Sequence, residues 1–297
     1  MDTHPSAAKT FLLTGVTLIA FAANSLLTRM ALGEGSIDAA SFVSIRLASG
    51  AVMLLAITSI TQKQRGLSFS KGPWTAAVML FLYAIAFSFS YLQLAAGTGA
   101  LILFGTVQVT MILVALRQGE KPSKAEWVGL AIALLGLIYL VSPGLEAPPV
   151  IGSVLMVISG IAWGFYSLLG RGSAQPVVNT MNNFIRAVPL ALGVSLVSMS
   201  RLQVSAEGVL LAVLSGAIAS GVGYALWYAA LKGLTATRAA TVQLAVPVLA
   251  AIGGTLFLQE ALSVRLVLAS VMILGGVGLA VLEQSRSVET VVGSDHD

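Results

Sequence analysis

Cysteine is missing altogether from the 297 residues, which excludes disulfides and thiolate metal sites and leaves the redox compartment unmarked. Histidine is nearly missing, since His4 and His296 both fall in polar terminal stretches. No imidazole therefore stands within an apolar run to ligate haem or zinc, or to move protons near neutral pH. No cofactor, metal or enzyme chemistry is expected from such a set. Charge is scarce as well, at 9% of residues against 57% hydrophobic, where soluble globular chains carry about 25% charged residues. So few charges cannot clothe a soluble surface of this size, and the lipid bilayer is the expected solvent. The net charge of +4 does not mark a nucleic-acid partner, because Lys and Arg stand singly or in small groups between apolar runs, as topology signals do.

What is present is a succession of apolar runs, each near the roughly 20 residues that cross a bilayer. They predict ten transmembrane helices, at about 10–32, 38–60, 74–96, 99–117, 125–142, 150–170, 177–199, 207–231, 236–258 and 263–283. Breakers and capping residues mark the joints, among them Gly33-Glu34-Gly35-Ser36, Lys71-Gly72-Pro73, Lys121-Pro122-Ser123, Pro143-Gly144 and Gln175-Pro176. With the amino terminus inside, the cytoplasmic joints hold Lys9, Lys63, Arg65, Lys71, Arg117, Lys121, Lys124, Arg171, Lys232, Arg238 and Arg286, and the external ones only Arg29, Arg201 and Arg265. That asymmetry places both termini in the cytoplasm. Lys9, the run from Phe11 and the triplet Ala20-Phe21-Ala22 also fit a cleavable signal peptide, but an internal repeat uses this segment as a structural unit, which favours a retained helix.

The repeat is read from short matches that keep their order. Ser25-Leu26-Leu27-Thr28-Arg29 echoes Ser167-Leu168-Leu169-Gly170-Arg171, Ile45-Arg46 echoes Ile185-Arg186, and Thr106-Val107-Gln108 echoes Thr241-Val242-Gln243. Glu120 and Glu260 each follow a fourth span, and Gly136 and Gly276 sit midway along a fifth. An odd number of spans separates equivalent positions, so the second copy enters the membrane upside down. The expected fold is an all-α integral membrane protein of two inverted five-helix repeats, 1–145 and 146–284, with a polar, disordered cytoplasmic tail at 285–297.

The second copy carries Thr241-Val242-Gln243-Leu244-Ala245-Val246-Pro247, a small-residue run through Gly253-Gly254 to Gln259-Glu260, and a last span with Gly275-Gly276. In these features, over roughly residues 10–283, the chain resembles the drug/metabolite transporter superfamily, specifically its ten-helix carriers with two EamA-type repeats. Within it the chain is most similar to bacterial exporters of amino acids, particularly aromatic ones. The resemblance implies a multi-pass protein of the bacterial inner membrane with a small-molecule substrate. Two departures stand out. The first copy has no proline matching Pro247, and Val246 stands where many relatives carry an acid, which weakens any carry-over of carboxylate-linked coupling.

Polar and aromatic side chains within spans are the candidates for chemistry, because polar groups are costly against lipid. Thr14, Thr17, Phe21, Asn24 and Thr28 form one stripe of span one, and Ser159, Trp163, Tyr166 and Gly170 one stripe of span six. Span three offers Tyr83, Phe87, Ser90 and Tyr91, and span eight Ser220, Tyr224, Trp227 and Tyr228. A substrate site is expected from Asn24, Tyr83, Gln108, Trp163, Tyr166, Tyr224, Trp227 and Gln243, although aromatic belts and packing account equally for rings near span ends. The two glutamines can both donate and accept toward an amino acid, and an interhelical bond of about 0.6 kcal/mol explains them as well. Arg46 and Arg186 can pair with a substrate carboxylate, or cap carbonyls and snorkel to headgroups. Pro189 and Pro247 lie within spans seven and nine, where a bend can follow. Gly216 with Ser220 and Ala219 with Gly223 have the small-residue spacing of close helix packing.

The expected function is an alternating-access carrier exporting amino acids or similar small metabolites. No Asp or Glu stands well inside a span, so facilitated movement without proton coupling is expected, and a cationic-drug pump, which needs such an acid, is disfavoured. A channel or a membrane scaffold is the alternative from another class. Spans one, three, four, six, eight and nine are expected to enclose the cavity, with five and ten outside it. The oligomeric state is not legible.

Overall fold

With no water in hydrocarbon to satisfy backbone N–H and C=O groups, apolar runs fold as helices that close their own hydrogen bonds. The structure, a computed structural model, describes residues 6–61, 74–117, 124–144, 147–170, 173–234, 239 and 242–294. Lys63, Arg65, Lys71, Glu120, Lys121, Arg171, Arg238 and Thr241, used above for repeat and orientation, lie outside them. Among the described residues the elements are α1 (Ala7–Gly33), α2 (Ala39–Thr61), α3 (Thr75–Tyr91), α4 (Ala96–Arg117), α5 (Lys124–Val141), α6 (Val150–Gly170), α7 (Pro176–Val197), α8 (Ala206–Leu231), α9 (Ala245–Leu258) and α10 (Val264–Ser294). Six of them, α1, α2, α4, α6, α7 and α8, are long and apolar enough to cross a membrane, and the other four contribute shorter apolar helices. Large apolar side chains such as Phe11, Leu135, Ile138, Phe257 and Val271 point outward from the bundle, as lipid-facing surfaces do.

Helix ends differ from the sequence reading where capping decides them. Helix α3 stops at Tyr91 rather than near 96, and α4 begins at Ala96, whose N–H donates to the Glu260 carboxylate at 2.8 Å. A carboxylate there satisfies an orphan donor and complements the positive end of the helix dipole. The ninth span is interrupted at Leu244, so Pro247 lies in the first turn of α9 rather than at a mid-span bend, a position where its missing N–H costs nothing. Pro189 does lie inside α7. Helix α10 runs on to Ser294, where a disordered tail was expected; no proline or glycine interrupts the chain between Gly278 and Gly293. Helix α8 contains a π-helical stretch, Leu214–Val222, that regular periodicity does not reveal.

The principal packed pairs are α5 with α10, α2 with α7, α4 with α9, α3 with α6, α1 with α8, α4 with α6, α1 with α9, α2 with α8 and α3 with α7. Exchanging every helix for the one five places along leaves that set unchanged. Small residues allow the closest approaches. A Cβ on Gly276 would strike the backbone of Gly129 and Ala133, one on Gly136 would strike Met272 and Ile273, and one on Gly216 would strike the Arg46 carbonyl and Ser49.

Candidate functional site

Five helices, α1, α3, α4, α6 and α8, meet around a small pocket of about 20 Å³ lined by Phe21, Asn24, Ser25, Tyr83, Phe87, Leu103, Phe104, Trp163, Ala219, Ser220 and Tyr224. Trp163 is its hub. The indole lies 4.7 Å from the Tyr83 ring, 5.4 Å from Tyr224 in a stacked arrangement, and 5.3 Å from Tyr166. Phe21 meets Tyr224 edge-on at 5.8 Å. Such offset and edge contacts give rigid, apolar walls.

Behind the pocket sits a charge. Arg46 is only 1% exposed, and its guanidinium lies 4.9 Å from the Phe87 ring centre and 5.3 Å from that of Tyr83. Nη2 donates to the Tyr83 hydroxyl at 3.1 Å, while Nε and Nη1 have no hydrogen-bond partner. The snorkelling alternative for Arg46 fails, because the side chain is sealed in the bundle. Removing an unpaired guanidinium from water is expensive, and the aromatic faces offset part of that cost. Asn24 Nδ2 donates to the same tyrosine oxygen at 3.3 Å, and Ser215 Oγ donates to Asn24 Oδ1 at 2.6 Å.

A second, larger cleft of about 140 Å³ opens at the end of the bundle where α7 begins, lined among others by Thr75, Tyr166, Asn179, Thr180, Asn183, Arg186 and Tyr228. Tyr166 donates to Thr180 at 3.4 Å and Thr180 to Tyr228 at 3.3 Å. The Arg186 guanidinium stands 5.6 Å from the Trp74 ring centre. Because Trp163 packs on Tyr166 of the cleft and on Tyr83 and Tyr224 of the pocket, it forms the partition between them.

The opposite end is tied shut. Arg29 Nε meets Glu260 Oε1 at 3.2 Å, Arg29 Nη1 donates to the Tyr91 carbonyl at 3.0 Å, and Glu260 Oε2 holds the Ala96 N–H. Gly33 and Gly254 leave room for these two side chains, since a Cβ on either would meet the guanidinium or the carboxylate. Beside this latch, Gln203 Nε2 donates to the Gly35 carbonyl at 2.6 Å, and Asp38 Oδ2 accepts from Gln203 N at 3.3 Å.

The expected site residues divide accordingly. Asn24, Tyr83, Trp163 and Tyr224 line the pocket, with Arg46 one hydrogen bond behind it; Tyr166 and Arg186 line the cleft. Gln108 is buried in α4 but lines neither space, Gln243 donates to the Ala239 carbonyl of its own segment at 3.2 Å, and Trp227 packs edge-on against Phe21. Helix α9, expected at the cavity, does not line the pocket, whereas α7, not expected there, forms much of the cleft. Ser215 and Phe104 were missed, being ordinary span residues by composition. Ser220, offered both with the rings of span eight and in a small-residue packing pair, lines the pocket.

The EamA-like transporter family model matches residues 150–282. An uncharacterized protein of Pseudomonas aeruginosa, PA1977, is 49% identical over 91% of this chain and 94% of its own length. An uncharacterized transporter of Archaeoglobus fulgidus is 26% identical over 94% of this chain and 99% of its own. The uncharacterized inner membrane transporter YedA of Escherichia coli is 36% identical over 26% of each chain. A crystal structure with 20% sequence identity superposes with a TM-score of 0.64 over 93% of this chain and 98% of that one, which shows a shared fold.

Proposed function

This chain belongs to the EamA-like transporter family and is a multi-pass membrane transporter, and from that premise we propose an alternating-access carrier that exports amino acids, aromatic or otherwise apolar, or similar small metabolites. The observation that carries the reading is Arg46, buried without an ion-pair partner among the described residues, beside a pocket walled by rings. A guanidinium so placed suits a carboxylate on an apolar body. The set of packed helix pairs, unchanged by exchange of the halves, supports two inverted five-helix repeats, and one tied end facing one open end supports alternate opening. The cation asymmetry supports a cytoplasmic open end with both termini inside, and the likeness to an inner membrane transporter supports that membrane.

Reconstituted in proteoliposomes, the protein is expected to exchange labelled phenylalanine for unlabelled phenylalanine with saturation. Without a substrate gradient, an imposed proton gradient should drive no accumulation, since the spans hold no Asp, Glu or His well inside. Absence of any flux across a panel of amino acids and related acids would overturn the carrier reading, and uphill uptake abolished by a protonophore would overturn facilitation.

A further inference from the structure

The hydrogen bonds behind the pocket all run one way. Arg46, which can only donate, gives Nη2–H to the Tyr83 oxygen, and Asn24 gives Nδ2–H to the same atom. A phenol has two acceptor positions and one O–H. Both acceptor positions are filled, so the Tyr83 hydrogen is left to donate, and Tyr83 lines the pocket. The Asn24 carbonyl oxygen is itself occupied by Ser215. Across the pocket, Ser220 is 2% exposed and its hydroxyl has no partner. Beyond these the lining is ring and alkyl surface with the Ser25 and Tyr224 hydroxyls and the Trp163 indole N–H, and no carboxylate is among it.

We propose that this pocket takes a monoanion: a carboxylate carried on an aromatic or branched apolar body with no ammonium beside it. The inference rests on the carrier reading, moves it from amino acids to the similar small metabolites that lack the ammonium, and requires the rings to part on binding, since the pocket as it stands is about 20 Å³. Tyr83 and Ser220 donate to the carboxylate, and Arg46 acts through Tyr83 as a positioning residue whose fixed charge the anion neutralises. A bound monoanion leaves the site neutral. A zwitterion leaves it with one net positive charge, and an amine adds a second positive charge where low dielectric magnifies repulsion. An ammonium would also shed water and find only neutral hydroxyls, those of Ser25, Ser220 and Tyr224, to meet it, since the Asn24 and Tyr83 oxygens are taken. The Tyr83 and Phe87 rings already face Arg46, which weakens them as cation acceptors.

Three probes with one ring and one chain length isolate the charge: 3-phenylpropionate, phenylalanine and 2-phenylethylamine, titrated by calorimetry into the full-length purified protein. The acid is expected to bind at least about tenfold tighter than phenylalanine, and the amine not to saturate; tenfold corresponds to about 1.4 kcal/mol. Tyr83→Phe removes one donor and keeps the ring, and should cost the acid about tenfold while lowering phenylalanine less. Ser220→Ala should act in the same direction and keeps the test alive if Tyr83→Phe folds poorly. Phenylalanine binding as tightly as the acid, saturable amine binding, no binding of any probe, or acid affinity unmoved in both variants would each overturn the proposal. Equal affinities with saturable phenylalanine exchange would remove the anion assignment and leave the carrier. The expected order of affinities with no flux of any substrate would remove the carrier and leave the anion site.

Discussion

The two ends of the bundle are built from different chemistry. At one end a partly buried ion pair, a helix amide and a backbone carbonyl close on each other through Arg29, Glu260, Ala96 and Tyr91. At the other, amides and a hydroxyl of α7 line an open cleft beside Arg186. The contrast is sharper in the register that aligns Ile45-Arg46 with Ile185-Arg186. Asn179, Thr180, Asn182 and Asn183 then correspond to Ala39, Ala40, Phe42 and Val43; the four apolar residues are all buried, whereas of the polar four Asn179 is exposed, Asn183 half-buried, and Thr180 and Asn182 buried. The matched segments have diverged so that one wets its end and the other seals it. Apolar packing alone would seal indiscriminately and for good, whereas an ion pair with two linked hydrogen bonds can be broken at one residue. The tied end is thus the part of the molecule where a single substitution should move a conformational equilibrium.

Loss of Glu260 is expected to have the largest effect. Glu260→Ala strips Arg29 of its charge partner and the first N–H of α4 of its acceptor, a loss of about 1–3 kcal/mol, or about five- to a hundredfold in population. The cysteine-free chain allows a direct reading through Ala219→Cys in the pocket. A membrane-impermeant maleimide applied from outside should label that cysteine faster by such a factor when Glu260 is absent. Labelling that rises only from the cytoplasmic face would reverse the orientation, and an unchanged rate in a well-inserted protein would show that the tied end is not a gate.

Trp163, the partition between cleft and pocket, comes next. Trp163→Ala opens the wall shared by Tyr83, Tyr166 and Tyr224, and should raise the half-saturation concentration for an aromatic substrate several-fold without altering insertion or thermal stability by more than a large-to-small change at a half-buried site does. Transport kinetics identical to the unmutated protein would leave Trp163 a packing residue.

What the sequence could and could not disclose follows from range. Stripes at helical spacing brought forward Asn24, Tyr83, Trp163 and Tyr224, because a polar or ring side chain in an apolar run has few places to go but the interior. The latch left no such trace. Glu260 lies 231 residues from Arg29 and 164 from Ala96, so by sequence it is one more acid at a joint. Gln243 was legible as polar within a span but not as a side chain satisfied by its own segment. The π-helical stretch of α8, which carries Ser215, Ala219 and Ser220, was hidden because residue stripes assume a regular 3.6-residue turn. Composition thus located the helices and most of the pocket, and long-range pairing decided which end is closed.

The smallest expected effect separates the latch from stability. Gly33 is the last residue of α1, and an added Cβ would stand 2.8 Å from the Arg29 guanidinium. The atoms in the way are the far end of a flexible side chain, so Arg29 can yield by shifting rather than by losing its partners. Alanine also costs less than glycine in a helix, by about 0.5–1 kcal/mol. Gly33→Ala should therefore leave the unfolding temperature unchanged or slightly raised while loosening the Arg29–Glu260 contact. External labelling of Ala219→Cys should rise about twofold, well short of the Glu260→Ala effect, since a stretched charge-assisted bond loses only part of its strength. A raised labelling rate together with a lowered unfolding temperature would mean that the end opens because α1 frays. A raised rate at undiminished stability would mean that the latch itself sets how often this end of the carrier opens.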